Sequence, residues 1–261
     1  MMIELSSENL NQIKNLINHN TPNFPVVMAV IENRNPGKIW VDQLTNPTVC
    51  LVISNGGYSF IGKQNEINTQ MLLDMIEILK QNKPIKLIWK AGDIPISHFI
   101  NAGFNPIERI QYHHETINNG DTSHIDLICK SLPNDCTVKF INERLIKQSR
   151  WSSYIKLFYG SEDNFLKNGF GLALIKNDEI ISEAFACYIG GNYVETGSVT
   201  DENLRGKGYA TLIRAFFIKE CLARSLIPIS SCNVDNPASA KASLKLGFQE
   251  EMRYQFLMYK S

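Results

Sequence analysis

The residues whose types and spacing suggest chemistry are Arg205, Gly206, Lys207 and Gly208, between a strand pattern ending at Val199-Thr200 and a helical pattern. Ala210, Ile213, Phe216 or Phe217 and Cys221 recur at helical spacing, which predicts a helix from about Gly206 to Arg224. No serine or aspartate caps its start. A helix start leaves about four backbone N–H donors unpaired and carries a partial positive charge. Glycines there let an anion approach the backbone, and Arg205 and Lys207 add formal charge. The combination suits phosphate, although a glycine pair alone also fits an ordinary tight turn. It is not a nucleotide P-loop, since no Gly-Lys-Ser/Thr follows, and it does not open a βαβ unit as a dinucleotide fingerprint would.

A second chemical candidate is Glu195, in the strand pattern Tyr193 to Thr200. A charge inside a buried strand is uncommon. It reads either as a general base or as the structural partner of a lysine or arginine. Glu183, in the preceding strand pattern, is an alternative base. His113-His114-Glu115 resembles a metal cluster on paper, but neighbours in a strand point to opposite faces, so a structural role is the expectation. Trp40, Trp89 and Trp151 read as core or lining residues.

The positioning elements come from 261 residues, 44% of them hydrophobic, enough for one large domain or two small ones. Lys+Arg and Asp+Glu balance at 26 each, so no net field draws the chain to nucleic acid or to an anionic membrane. Neither a signal peptide pattern nor a membrane-length apolar run is present, and six scattered cysteines without a C-x-x-C pair read as reduced and buried. A cytoplasmic protein is the expectation.

In order, Glu4 to Asn18 predicts an amphipathic helix capped by Ser6 or Ser7. Val26 to Ile31, Lys38 to Val41 and Thr48 to Ile53 predict strands, and Asn55-Gly56-Gly57 turns into Tyr58 to Ile61. A helix around Met71 to Leu79, a strand Ile85 to Trp89, a helix Ile96 to Ala102 and a strand Arg109 to Thr116 follow. The polar stretch Asn118 to Ser123 marks an internal boundary. Beyond it, Lys139 to Tyr159 reads as helical, and Ser161 caps a helix to Lys167. A hairpin (Gly171 to Ile175, Ile180 to Ile189), the strand Tyr193 to Thr200, the glycine-led helix, a strand Ile229 to Cys232, a helix Pro237 to Leu246 and closing strands near Phe248 and Tyr254 to Tyr259 complete the chain.

One segment echoes another. Ala102-Gly103-Phe104 to Arg109-Ile110-Gln111 lines up with Leu246-Gly247-Phe248 to Arg253-Tyr254-Gln255 at one constant interval, each reading helix, Gly-Phe, strand. Chance or a duplication would account for it. Under duplication, the counterpart of the glycine loop falls near Gly62 to Glu66, which lacks its pattern.

Arg205-x-x-Gly208-x-Ala210 after a strand resembles the acyl-CoA pyrophosphate loop of the GNAT N-acetyltransferases, Arg/Gln-x-x-Gly-x-Gly/Ala. Asn236-Pro-Ala-Ser239, with Ser243-Leu-Lys-Leu-Gly247-Phe248 after it, resembles the superfamily's downstream motif, Asn-x-x-Ala/Ser, usually Tyr, then Lys-x-Gly-Phe. The resemblance covers roughly Ile125 to Ser261, and the two-part layout is similar to the bacterial group called GNAT-acetyltransferase-like proteins. It implies an α/β (α+β) architecture: a GNAT domain over residues 125–261 and a degenerate GNAT-like amino-terminal domain over residues 1–120. It implies acetyl-CoA as co-substrate and the amine of a small molecule or peptide as acceptor. The donor would lie beside Val199 and Thr200, with its pyrophosphate on Arg205, Gly206, Lys207, Gly208, Tyr209 and Ala210, and with Asn236 and Ser239 at the next helix start. Glu195 would be the base. The tyrosine that usually protonates the leaving thiolate is replaced by Ser243, a far weaker acid, leaving Tyr193, Cys232 and Tyr254 as unranked substitutes. A CoA-binding sensor or scaffold without turnover is the rival reading. The first half would supply a wall of the acceptor pocket or the surface of a homodimer.

Overall fold

Apolar strand patterns from both ends of the chain meet in one sheet, seen here in a computed structural model that describes residues 1–90, 94–114 and 121–259. First come β1 (Ile3–Glu4), a 3-10 helix (Ser7–Leu16), α1 (Phe24–Ile31), β2 (Gly37–Val41), β3 (Cys50–Ser54) and β4 (Tyr58–Gly62). Next are α2 (Thr69–Gln81), β5 (Ile85–Trp89), α3 (Ser97–Asn101) and β6 (Asn105–His114). The later part begins with α4 (Ser123–Lys130), β7 (Cys136–Phe140), α5 (Glu143–Ile146), α6 (Ser152–Tyr159) and α7 (Glu162–Asn168). It ends with β8 (Gly171–Lys176), β9 (Glu179–Gly190), β10 (Tyr193–Thr200), α8 (Tyr209–Ala223), β11 (Ile227–Asn233), α9 (Pro237–Lys245) and β12 (Phe248–Tyr259).

Across the sheet the order is β1-β2-β3-β4-β5-β12-β6-β11-β10-β9-β8-β7. The last strand of the chain therefore lies between two strands of its first half. Pairing is antiparallel except at β4–β5 and β10–β11. Both parallel contacts are short: Tyr58 and Ser59 pair Lys86 and Leu87, and Tyr193 to Glu195 pair Ile227 to Ile229. Each opens into a fork beyond its paired residues.

Several sequence expectations are corrected. Val26 to Ile31 is not a strand but most of α1, begun by Pro25 in its first turn. Its residues from Pro25 to Ile31 are all buried, against β3 on one side and β9 on the other, so no periodicity separates it from a strand. A Cβ on Gly190 of β9 would sit 2.5 Å from the Ala29 nitrogen, so only glycine admits α1 this closely. The first helix is shorter, preceded by β1 and of 3-10 type; Ser6 Oγ accepts from Asn9 Nδ2 instead of capping a backbone N–H. Residues Lys139 and Phe140 belong to the edge strand β7, and α4, which sequence reading missed, precedes it. The glycine-led helix begins at Tyr209, after the glycines rather than on them. The closing strands are one strand, β12, irregular between Glu250 and Met252. The boundary residues 118–120, and Glu115 and Thr116, lie outside the described residues. His114 is structural: its Nε2 lies 2.7 Å from the Leu246 carbonyl and its ring meets Phe248 edge-on. All six cysteines are free and buried.

Leu257 on β12 is fully buried among Leu87, Trp89 and Phe99, a core built otherwise from the first 104 residues. Leu257→Ala is expected to cost about 2–5 kcal/mol. Because β12 joins the two halves, urea unfolding followed by fluorescence and by circular dichroism should show one coincident transition, shifted as a whole.

Candidate active site

The fork between β10 and β11 opens just after Glu195, whose backbone is the last paired with β11. At the same place the register between β10 and β9 slips, between Glu195 and Thr196. Strand edges facing the gap thus lose their ladder partners where the carboxylate projects. Ser231 Oγ donates to Glu195 Oε1 at 2.7 Å, and Asn23 Nδ2 donates to Oε2 at 3.2 Å. Arg109 Nη2 donates to the same Ser231 oxygen at 2.9 Å, Nη1 to Asn233 Oδ1 at 2.6 Å and Nε to the Tyr254 hydroxyl at 3.4 Å. Its guanidinium lies over the Phe256 ring, 4.5 Å from the centroid. Burial pushes the Glu195 carboxyl above the usual carboxylate range, and hydrogen bonding to Ser231 and the Arg109 charge hold the rise back. A carboxylate raised in this way is a stronger proton acceptor than a free one.

These groups form the polar end of a cavity of about 370 Å³. Its walls are aromatic: Tyr58, Trp151, Tyr154, Phe158, Tyr188 and Phe256. Phe158, Tyr188 and Phe256 each lie within 6.3 Å of Tyr58, ring to ring. Gly197 is required for the Trp151 wall, since a Cβ there would lie 2.7 Å from the indole and 2.6 Å from the Cys187 sulfur. Burial raises the Tyr58 and Tyr188 phenols and the Cys187 thiol, so they stay neutral. Asn23 holds a left-handed backbone (φ 53°), and its buried Oδ1 and the Thr196 Oγ1 have no hydrogen-bond partner among the described residues.

Glu183 does not line this cavity. It is 1% exposed, its Oε1 accepts the Arg150 N–H at 2.8 Å, and it anchors the segment that carries Trp151. Burial raises its carboxyl too.

The glycine-bearing segment stands apart from this polar end. Gly206 and Gly208 have φ of 79° and 85°, no side chain caps α8, and a Cβ at either would meet nothing within 4 Å. Arg205 and Lys207 are exposed, Arg205 within 3.3 Å of Glu202, and Tyr209 and Ala210 begin the helix half-buried. Val199 is half-buried, and Thr200 is buried with its hydroxyl 2.8 Å from that of Ser182. A second cleft of about 370 Å³ flanks the helix start, lined by Lys207, Gly208, Tyr209, His124 and Lys245 among others. Exposed Asn236 caps α9 by accepting the Ser239 N–H at 3.2 Å.

Ser243 is fully buried, 2.9 Å from Arg214 Nη2 and 3.2 Å from the Ser230 hydroxyl, and does not line the aromatic cavity. Tyr193 packs edge-on against Phe24, Cys232 is 4% exposed in the core beneath α8 and α9, and Tyr254 contacts Arg109. No group of three or more His, Cys, Asp or Glu that could hold a metal occurs among the described residues, and no helix there is long and apolar enough to cross a membrane.

Sequence reading singled out Glu195 and the glycine loop as site residues but not Asn23, Ser231 or Arg109, which meet Glu195 or its partner at the cavity. Pro22-Asn23-Phe24-Pro25 was the available signal for Asn23, since flanking prolines prevent regular structure and leave asparagine to take the left-handed turn.

The chain is similar to known proteins along nearly its whole length. A Bacillus subtilis (strain 168) protein described as the uncharacterized N-acetyltransferase YdfB is 24% identical over 96% of both chains. The crystal structure of a GCN5-related N-acetyltransferase-like protein from Streptococcus suis 89/1591 superposes with a TM-score of 0.75 at 22% identity, covering 97% of this chain and 99% of that one. A tandem GNAT protein from the clavulanic acid biosynthesis pathway gives a TM-score of 0.66 at 10% identity, over 99% and 98% of the two chains. The model of the GNAT acetyltransferase family matches residues 14–257, and the chain belongs to that family of acetyltransferases.

Proposed function

We propose that the protein transfers an acetyl group from acetyl-CoA to a primary amine held in the aromatic cavity. The observation that carries this reading is the place of Glu195: a carboxylate of raised pKa, at the polar end of an aromatic-walled cavity, where β10 and β11 part. The thioester occupies the fork, and the CoA phosphates take the open N–H groups from Gly206 to Ala210, with the Arg205 side chain beside them and Lys207, His124 and Lys245 around the adjoining cleft. Asn236 and Ser239 border the donor on the next helix. Glu195 takes the amine proton, the nitrogen attacks the carbonyl carbon, unpaired strand N–H groups hold the oxygen, the C–S bond breaks and the thiolate is protonated.

The first 120 residues serve this reading as a degenerate copy of the domain at residues 125–261. Gly103 and Gly247 share positive φ, and each leads through a buried phenylalanine into β6 or β12. The first copy binds no CoA but supplies Asn23, Val26, Tyr58 and Arg109 to the acceptor cavity. One observation favours the rival, CoA binding without turnover: Ser243 is buried and hydrogen-bonded where the family's acid usually stands. Release of free thiol from acetyl-CoA with an amine panel decides between them.

Gly208→Asp tests the donor site. Aspartate tolerates the left-handed backbone better than most residues, and the position is open, so the fold should survive. Its carboxylate meets the pyrophosphate, and calorimetric affinity for acetyl-CoA should fall by ~100-fold or more. Unchanged affinity would reject the loop.

Glu195→Gln is expected to lower kcat by ~10²–10⁴-fold with acetyl-CoA affinity retained. Since ionised Glu195 is the active form and burial raises its pKa, the wild-type rate should fall on acidification at a midpoint above the ordinary carboxylate range. Glu183→Gln should leave that acid limb in place. A limb that survives Glu195→Gln would assign it to another group.

A further inference from the structure

Among the described residues lining the aromatic cavity one is acidic, Glu195, and one is basic, Arg109, so their ionised forms are of opposite sign. They do not meet directly; the Ser231 hydroxyl stands between them, donating to the carboxylate at 2.7 Å and accepting from the guanidinium at 2.9 Å. The two charged groups are thus no further apart than these two hydrogen bonds laid end to end. A ligand with a single positive charge would satisfy Glu195 and face an uncompensated guanidinium. One with an ammonium and a carboxylate on the same carbon satisfies both, and its charges are spaced for neighbouring partners. An ω-amino acid, with its charges several bonds apart, does not match so short a gap.

Arg109 is built to serve as the second anchor. A guanidinium has five N–H donors, and Arg109 commits three, to Ser231, Asn233 and Tyr254. Those bonds and the stack on Phe256 fix its plane, leaving one N–H on each terminal nitrogen, the pair suited to a carboxylate. Away from this polar end the cavity is walled by Trp151, Tyr154, Phe158 and Tyr58, which gives an apolar side chain its place and a charged one none.

We infer that the acceptor is an α-amino acid with an apolar or aromatic side chain: its amine lies at Glu195, its carboxylate on Arg109, its side chain among the aromatic walls. This rests on the acetyl-transfer reading above, and Arg109, on β6 of the first half, becomes the residue that selects the substrate. The reaction balances as before: the bound ammonium gives one proton to Glu195, the nitrogen gains the acetyl group as the C–S bond breaks, and the second proton lost from the nitrogen ends on the CoA thiolate, which leaves as the thiol.

The test compares L-phenylalanine and L-leucine with their decarboxylated counterparts, phenethylamine and isopentylamine, and with L-phenylalaninamide, using the full chain and acetyl-CoA. The wild type should favour the amino acids in kcat/KM by about 10- to 100-fold, the range of hydrogen bonds to a charged group. Arg109→Gln should bring that ratio close to one, mainly through KM, and Arg109→Lys should restore part of it. Circular dichroism and the calorimetric affinity for acetyl-CoA report whether each variant is folded. Equal use of amines and amino acids by the wild type, or an unchanged ratio in folded Arg109→Gln, would overturn the inference. Acetyl-CoA binding without turnover of any of these compounds would overturn it and leave the donor site standing. Absence of acetyl-CoA binding would remove the reading on which it rests.

Discussion

The antiparallel pairing of β6 with β12 is the constraint on which the rest of the molecule depends. It runs from Phe248 opposite His114 to Met258 opposite Asn105, and it ties the last strand of the chain to the last strand of the first half. β12 then completes the sheet against β5, and β6 completes it against β11. Arg109 is thereby flanked on both sides, with Tyr254 as its partner across β12 and Asn233 as its partner across β11. Two of its three hydrogen bonds go to those neighbours and the third to Ser231, also on β11. Shifting β6 by one residue would turn Arg109 to the opposite face of the sheet and leave the cavity with Glu195 as its only charge.

β11 shows how one strand serves charged groups on both faces of the sheet. Successive strand residues point to opposite faces, so Ser230 and Ser231 divide the work. Ser231 meets Glu195 and Arg109 on the cavity face. Ser230 meets Arg214 under α8, together with Ser243. Arg214 is 4% exposed, and burial pulls its pKa down to about 10, with partial compensation from Cys232 and Glu195. Its guanidinium also lies over the Phe248 ring. With Arg214 occupying the helix side, Ser243 fills a small polar position in a packed cluster, and a phenol there would have to displace that arginine. Ser243 thus belongs with the buried arginine.

Much of the fold was legible because its strands and helices carry their own period. The hairpin β8–β9, the strand β10, and the helices α2 and α8 fall close to where spacing places them. Glu195 was legible as a charge in an otherwise uncharged strand, and the glycine loop as an uncapped helix start. Local pattern failed where tertiary contact decides. α1 is buried on every side and lost its helical signature, while β7, a sheet edge with Thr137, Lys139 and Phe140 exposed, imitates a polar helix turn. Asn23 reaches Glu195 across 172 positions of sequence, and nothing near either residue encodes that meeting. Arg109 stood out in sequence only as part of an echo. Its chemical meaning came from the two strands that flank it.

The sheet contains two parallel forks, and they differ in what fills the gap and in how the helix after each one begins. At β4–β5 the gap beyond Ser59 and Leu87 is closed: Phe60 and Ile88 pack with Val26 of α1 in the core. The helix after that fork is also closed to an anion, because Asn68 accepts the Met71 N–H at 2.9 Å and so consumes one of its free donors. At β10–β11 the gap opens into the aromatic cavity, and α8 starts on Gly208 with no capping side chain. A cap stabilises a helix by about 1 kcal/mol, so leaving α8 without one is a standing cost to the fold. An anion bound there would supply the missing acceptor and offset that cost, so binding at this helix start would be coupled to folding stability.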